Sequence, residues 1–145
     1  MIIAIDFDGT IVDDIYPDIG AEVPLALDYI KQWQEENDIV LYTMRERKEL
    51  EDAEMFLVNK GVNLFSSNSN LNMWYNSRKI FANLHIDNAS FGCPLIKIEG
   101  FKKPCADWNV IGPITTKIIK EYDYNLDINK ARYIGSLYLY NVCYG

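Results

Sequence analysis

Along the chain, short apolar runs alternate with longer stretches whose apolar residues recur every three or four positions. The run MIIAI at residues 1–5 is continuously apolar, as in a strand covered on both faces of a parallel sheet. From Ala21 to about Glu36, the spacing of Val23, Ala26, Leu27, Ile30 and Trp33 predicts an amphipathic helix, with Pro24 near its first turn. DIVLY at 38–42 predicts a second buried strand. Arg47 to Lys60 predicts a helix through Leu50, Ala53 and Leu57, capped by Gly61.

VNLF at 62–65 is a weaker third strand, followed by the polar loop SSNSNLN. A short helix ending near Asn83 is expected next, then a buried strand LHI that stops at Asp87. Beyond Gly92, PLIKI at 94–98 suggests a further strand, and Val110 to Tyr122 a helix entered through IGPIT. Strands alternating with helices imply βαβ units, a mainly parallel sheet and right-handed crossovers. No internal repeat or linker divides the 145 residues, a length suited to one domain with a real core.

Composition narrows the function. Apolar residues make up 49% and charged residues 24% of the chain, as in soluble globular proteins. The net charge of −7 comes without a lysine or arginine run, so neither a nucleic acid nor an anionic membrane surface is an expected partner. Cys93, Cys105 and Cys143 are odd in number and widely spaced. That argues against a disulfide framework and a cysteine-rich zinc site, and for a reduced cytoplasmic setting. No basic leader precedes the apolar start, and no apolar run reaches the ~20 residues that span a bilayer.

The candidate chemistry lies where the strands end. In a strand, side chains two apart share a face, so Asp6 and Asp8 are expected on one side and Phe7 on the other. Three strands end in polar residues, at Asp6, Thr43 and Asp87, and in open parallel sheets ligands bind beyond those carboxyl ends. Asp6, Asp8 and Asp87 brought together would repel unless their pKa values rise or a cation joins them. Magnesium suits such oxygen ligands and admits a substrate phosphate. The alternative of a calcium-binding loop fails because Gly9 follows Asp8 directly, leaving no room for a third oxygen ligand. A carboxylate beside a metal-bound phosphate can act as nucleophile, a second as acid and base, and a hydroxyl and a lysine can hold the phosphoryl oxygens.

These residues resemble the motifs of the haloacid dehalogenase-like superfamily, whose members are mostly magnesium-dependent phosphatases. Asp6-Phe7-Asp8-Gly9-Thr10 is similar to its first motif, VLYT ending at Thr43 to its second, Lys79 to its third and Asp87 closing LHID to its fourth. The resemblance covers roughly residues 1–90. It implies a three-layer Rossmann-like fold with helices on both faces, Asp6 as nucleophile, Asp8 as acid/base, Thr43 and Lys79 as phosphoryl ligands, and Mg²⁺ held by Asp6, Asp87 and the Asp8 carbonyl. The substrate would be a phosphorylated small molecule or macromolecule. In place of the second acid common in the fourth motif stands Asn88, which keeps an oxygen ligand and loses a charge.

Only about ten residues separate Thr10 from the first expected helix, and the Thr43 to Lys79 segment is already occupied, so no cap domain is expected. Among capless members the chain resembles short bacterial proteins linked by association to capsular polysaccharide biosynthesis. The motif-bearing core spans about 1–125. The tyrosine-rich tail, about 126–145, is expected to pack on the domain, with contact to another copy of the chain as the second reading. A catalytically weak phosphate- or nucleotide-binding protein and an assembly subunit are the rival functions. Several residues have an ordinary reading beside a functional one: Asp13 and Asp14 as solvated turn acids rather than additions to the metal site, His85 as a hydrogen-bonded core residue rather than a ligand, Arg45 to Arg47 as substrate contacts or a charged first helical turn, and Trp74 and Tyr75 as packing rather than a lid.

Overall fold

The computed structural model describes residues 1–70 and 77–122. Trp74 and Tyr75, expected to pack, Cys143 and the tyrosine-rich tail lie outside them. Four strands, β1 (Ile2–Ile5), β2 (Asp38–Leu41), β3 (Leu64–Ser67) and β4 (Leu84–Ile86), form one sheet in the order β3-β2-β1-β4. All three pairings are parallel, with Ile3 opposite both Ile39 and Leu84. The chain is therefore an α/β protein built on a parallel sheet.

The alternation along β1 assigns its faces. Ile3, Ile5 and Phe7 join Ile39, Leu41 and Ile86 in the main core, whereas Ala4 and Val40 form a second cluster with Ile80, flanked by Ile2, Phe65 and Ala82. Helices α1 (Ala26–Trp33), α2 (Arg47–Asn59) and α3 (Trp108–Glu121) all feed the main core, through Ala26, Leu27, Ile30 and Trp33, through Ala53 and Leu57, and through Trp108 and Ile111. Connection handedness explains this. β1 to β2 and β2 to β3 step the same way across the sheet, so right-handed crossovers place α1 and α2 on one face. β3 to β4 steps back past two strands, so a right-handed connection returns on the other face, where the described residues Ile80 and Ala82 pack. Ile80, packed on Ala4 and Val40, marks that passage. Residues 77–83 contain no helix, and 71–76 of the expected short helix lie outside the described residues.

Several boundaries differ from expectation for identifiable reasons. α1 begins at Ala26 rather than Ala21 because residues 21–23 pair with the loop after β1: Asp13 N–H donates to Ala21 O (2.8 Å) and Val23 N–H to Ile11 O (2.8 Å). β3 slides two residues toward Ser67, because ladder pairing of Ser66 and Ser67 with Val40 and Leu41 outweighs their low strand preference. PLIKI yields only β5 (Leu95–Ile96). It pairs antiparallel with β6 (Cys105–Ala106) in a separate two-stranded ribbon. α3 starts at Trp108, where the Asp107 carboxylate caps the Asn109 N–H.

Trp108 ties α3 to both the core and the polar edge. Its ring stacks on Tyr29 (6.4 Å) and lies 5.6 Å from Trp33, while its indole N–H donates to Thr10 O at 2.8 Å. Gly112 lets α3 close on Tyr29, whose ring occupies the space a Cβ would need. Trp108→Phe keeps most of the ring and orphans the Thr10 carbonyl, so it should lower unfolding free energy by about 1–3 kcal/mol. Trp108→Ala should cost roughly 3–5 kcal/mol. Urea denaturation of both variants checks the ordering.

Candidate functional site

β1 is interior to the sheet, so the residue that follows it is fixed by its neighbours. Asp6 continues the ladder, its N–H donating to Ile86 O at 2.9 Å, one step beyond the Ile5–Ile86 pair. Asp87 leaves β4 at the same level. Asp6, Asp87 and Lys79 line one cavity of about 260 Å³ with Ala4, Tyr42, His85, Ile86 and Ser90. The cavity lies on the sheet face that carries Ala4, opposite the main core.

The Asp6 carboxylate sits in a network. Thr10 Oγ1 lies 3.2 Å from Asp6 Oδ2 and 3.3 Å from Asn88 Oδ1, and it accepts from the Asn88 N–H at 3.0 Å. One hydroxyl proton serves either carboxylate or amide at a time. Gly9 adopts φ +77°, and the Asn88 side chain fills the space where a Cβ would stand. Burial pushes the Asp6 carboxyl up to about 7, and the nearby charges of Asp87 and Asp8 push the same way. The Phe7 N–H and the Thr10 hydroxyl oppose them. Asp87 Oδ1 accepts from the Ala89 N–H at 2.7 Å, which turns the chain away from the sheet.

Asp8 takes a different partner. Its two oxygens accept from Arg45 Nε and Nη2, each at 2.7 Å. Arg45 also donates from Nη1 to Pro17 O (2.9 Å) and from Nη2 to Asp18 O (2.7 Å). The guanidinium is 1% exposed and lies 5.0 Å from the Phe7 ring centroid and 5.4 Å from that of Tyr16. Thr43 follows the same residue: its hydroxyl accepts from the Arg45 N–H at 3.2 Å, and its own N–H donates to Asn68 Oδ1 at 2.9 Å. The structure thus brings Asp6, Asp87 and Lys79 into one cavity and ties Asp8 and Thr43 to Arg45. Among the described residues, no three His, Cys, Asp or Glu side chains are grouped to hold a metal ion.

Three ordinary readings need correction. Arg45 is a buried clamp, and Arg47 alone opens α2. Asp13 is buried, both its oxygens facing the Lys102 N–H at 3.3 Å, while Asp14 pairs with Lys103 at 2.6 Å. His85 is exposed and lines the cavity, its ring 5.9 Å from that of Tyr42. Partial loss of solvent where its ring meets the cavity lowers its pKa, and Lys79 lowers it further. Arg45 was detectable in part, as a cation two residues past a strand end whose neighbouring strand ends in acids. Its four acceptors, two of them loop carbonyls, leave no mark on the sequence.

Fold and site define a parallel α/β protein with a carboxylate-bearing cavity at the carboxyl edge of its sheet. No family model matches the sequence, nor does any curated protein. Among solved structures, a conserved protein coded by a locus from Bacteroides thetaiotaomicron matches at 30% identity and a TM-score of 0.68, covering 85% of this chain and 98% of that one. The chain belongs to the family of that conserved Bacteroides protein. No helix among the described residues is long and apolar enough to cross a membrane.

The elevated Asp6 carboxyl gives a prediction for the metal-free protein. Between about pH 4 and pH 7 the folded chain retains a proton that the unfolded chain has released, so stability falls as pH rises through that window and stays low above it. In chelator, Asp6→Asn should melt several degrees above wild type at pH 8 and near it at pH 4. Thermal melts at the two pH values test this.

Proposed function

We propose that the protein is a Mg²⁺-dependent phosphatase of the haloacid dehalogenase-like superfamily, a capless cytoplasmic member with the three-layer Rossmann-like fold, acting on a phosphomonoester. The observation that carries this reading is the meeting of Asp6, Asp87 and Lys79 in one cavity at the carboxyl edge of a parallel sheet. Two carboxylates there call for a cation, and one lysine suits an anion. The segments on which a cap would be inserted are short or already occupied: residues 11–25 precede α1, and Thr43 to Lys79 contains α2 and β3.

The donors fit a hard divalent ion. Asp6 and Asp87 offer carboxylate oxygens to the cavity, and the Asp6 carboxylate is destabilised by burial beside Asp87, a cost a cation relieves. Asp6, Asp87 and the Asp8 carbonyl would hold Mg²⁺, which neutralises charge on the phosphoryl oxygens when bound. Asp6 attacks phosphorus, the bond to the leaving oxygen breaks, and Asp8 gives that oxygen its proton. Water then attacks phosphorus, returns a proton to Asp8 and releases Asp6 with inorganic phosphate. Lys79 and Thr43 hold the phosphoryl oxygens.

A second reading is a phosphate- or nucleotide-binding protein of weak activity. It is favoured by the engagement of both Asp8 oxygens with Arg45 and by Asn88 standing where an acid is usual. Hydrolysis of p-nitrophenyl phosphate separates the two. Turnover should require Mg²⁺, vanish in chelator, and fall at least about 10³-fold in Asp6→Asn with an unchanged circular dichroism spectrum. Mg²⁺ binding without turnover in wild type would leave the binding protein standing.

A further inference from the structure

Arg45 joins three parts of the molecule that the sequence keeps apart. From the connection between β2 and α2 it reaches Asp8, which follows β1, and the carbonyls of Pro17 and Asp18 in the loop between β1 and α1. Its own N–H donates to Thr43 Oγ1. We infer that Arg45 is the positioning residue of this site: it fixes the direction of the Asp8 carboxylate and ties it to the 16–18 loop, so that any ligand that engages Asp8 is felt by that loop. The inference rests on the phosphatase reading for its catalytic consequence and on the Arg45–Asp8 geometry for its physical content.

The geometry selects arginine. Two coplanar N–H donors, on Nε and Nη2, meet two carboxylate oxygens at 2.7 Å, while further N–H groups on Nη1 and Nη2 take the carbonyls of Pro17 and Asp18. A lysine ammonium has the charge and three donors on one atom, and cannot span four acceptors set around a plane. The guanidinium lies over the rings of both Phe7, which belongs to the main core, and Tyr16, which belongs to the loop. Phe7 immobilises the guanidinium from the sheet side, so movement of Asp8 is transmitted to the loop rather than absorbed by the arginine. For Asp8 to meet a phosphoryl substrate, one of its oxygens turns out of the fork, and the freed N–H and the loop carbonyls must rearrange with it.

Two measurements test this. In steady-state hydrolysis of p-nitrophenyl phosphate with Mg²⁺, Arg45→Lys should lower kcat roughly 10- to 100-fold with KM within about threefold. In an Asp8→Asn background the same change should have little further effect, because the arginine acts through Asp8. Independently of turnover, the Arg45 Nε–H resonance of wild type should shift when Mg²⁺ and orthovanadate are added, and should not respond in Asp8→Asn. An unmoved resonance, or an Arg45→Lys loss of equal size in both backgrounds, overturns the positioning role while leaving the phosphatase standing. A resonance that shifts in a wild type without turnover keeps the coupling and removes the phosphatase. If Arg45→Lys does not fold, the vanadate response of wild type decides.

Discussion

A parallel sheet delivers the carboxyl ends of all its strands to one edge, and the interior place of β1 puts Asp6 beside that edge's other polar termini. β1 is hydrogen-bonded on both sides, to β2 and to β4. Its register is doubly fixed, since slipping it by one residue would move Ile3 and Ile5 out of the main core and Ala4 into it. Asp6 therefore inherits its position from apolar packing. Its side chain falls on the Ala4 face because Ile5 is committed to the other one, and Asp87 reaches the same level because Ile86 pairs with Ile5.

The loop from Asp8 to Leu25 is held against this edge by contacts with residues far along the chain. Trp108 Nε1 binds Thr10 O, the Lys102 N–H faces Asp13, and Arg45 binds Pro17 O and Asp18 O. Each anchor comes from a different part of the chain: α3, the stretch between β5 and β6, and the connection between β2 and α2. The β5–β6 ribbon adds to this closure through the Ala106 N–H, which donates to Gly9 O at 2.9 Å. Among the described residues, the chain from Asp87 to Tyr122 thus contributes no strand to the parallel sheet and serves instead to close the site's flank.

Much of the architecture was readable in the apolar pattern. MIIAI, DIVLY and LHI stand close to observed strands because a doubly covered parallel strand writes a continuous apolar run, and α2 starts at the expected Arg47 and ends at Asn59, one residue short of the expected Lys60, because Gly61 marks its stop. The errors arose where long-range hydrogen bonds decided the outcome. Ser66 and Ser67 are strand because Val40 and Leu41 need partners, and Ala21 to Val23 are not helix because Ile11 and Asp13 claim them. At the site, Asp6 and Asp87 were legible from their place at strand ends, and Lys79 from the motif resemblance. The attachment of Asp8 and Thr43 to Arg45 was not, because burial of a charge depends on acceptors that only the folded loop assembles.

The acids of this edge are each accommodated by a different physical device, and the differences bear on what each can do. Asp8 is compensated by a buried guanidinium that satisfies both oxygens. Asp87 remains partly exposed and is turned by the Ala89 N–H, so water and a local amide share its charge. Asp6 has the least: one hydroxyl, shared with Asn88, and the Phe7 amide, set against burial and two like charges. An acid at Asn88 would add a further like charge next to Thr10, whose proton would then have a second anion to serve. With asparagine there, Thr10 can turn to Asp6 while Asn88 keeps its own N–H bond to the Thr10 oxygen. The carboxylate left least compensated is thus the one at the centre of the sheet edge, in the same cavity as Lys79, where a bound cation or phosphoryl group would meet it first.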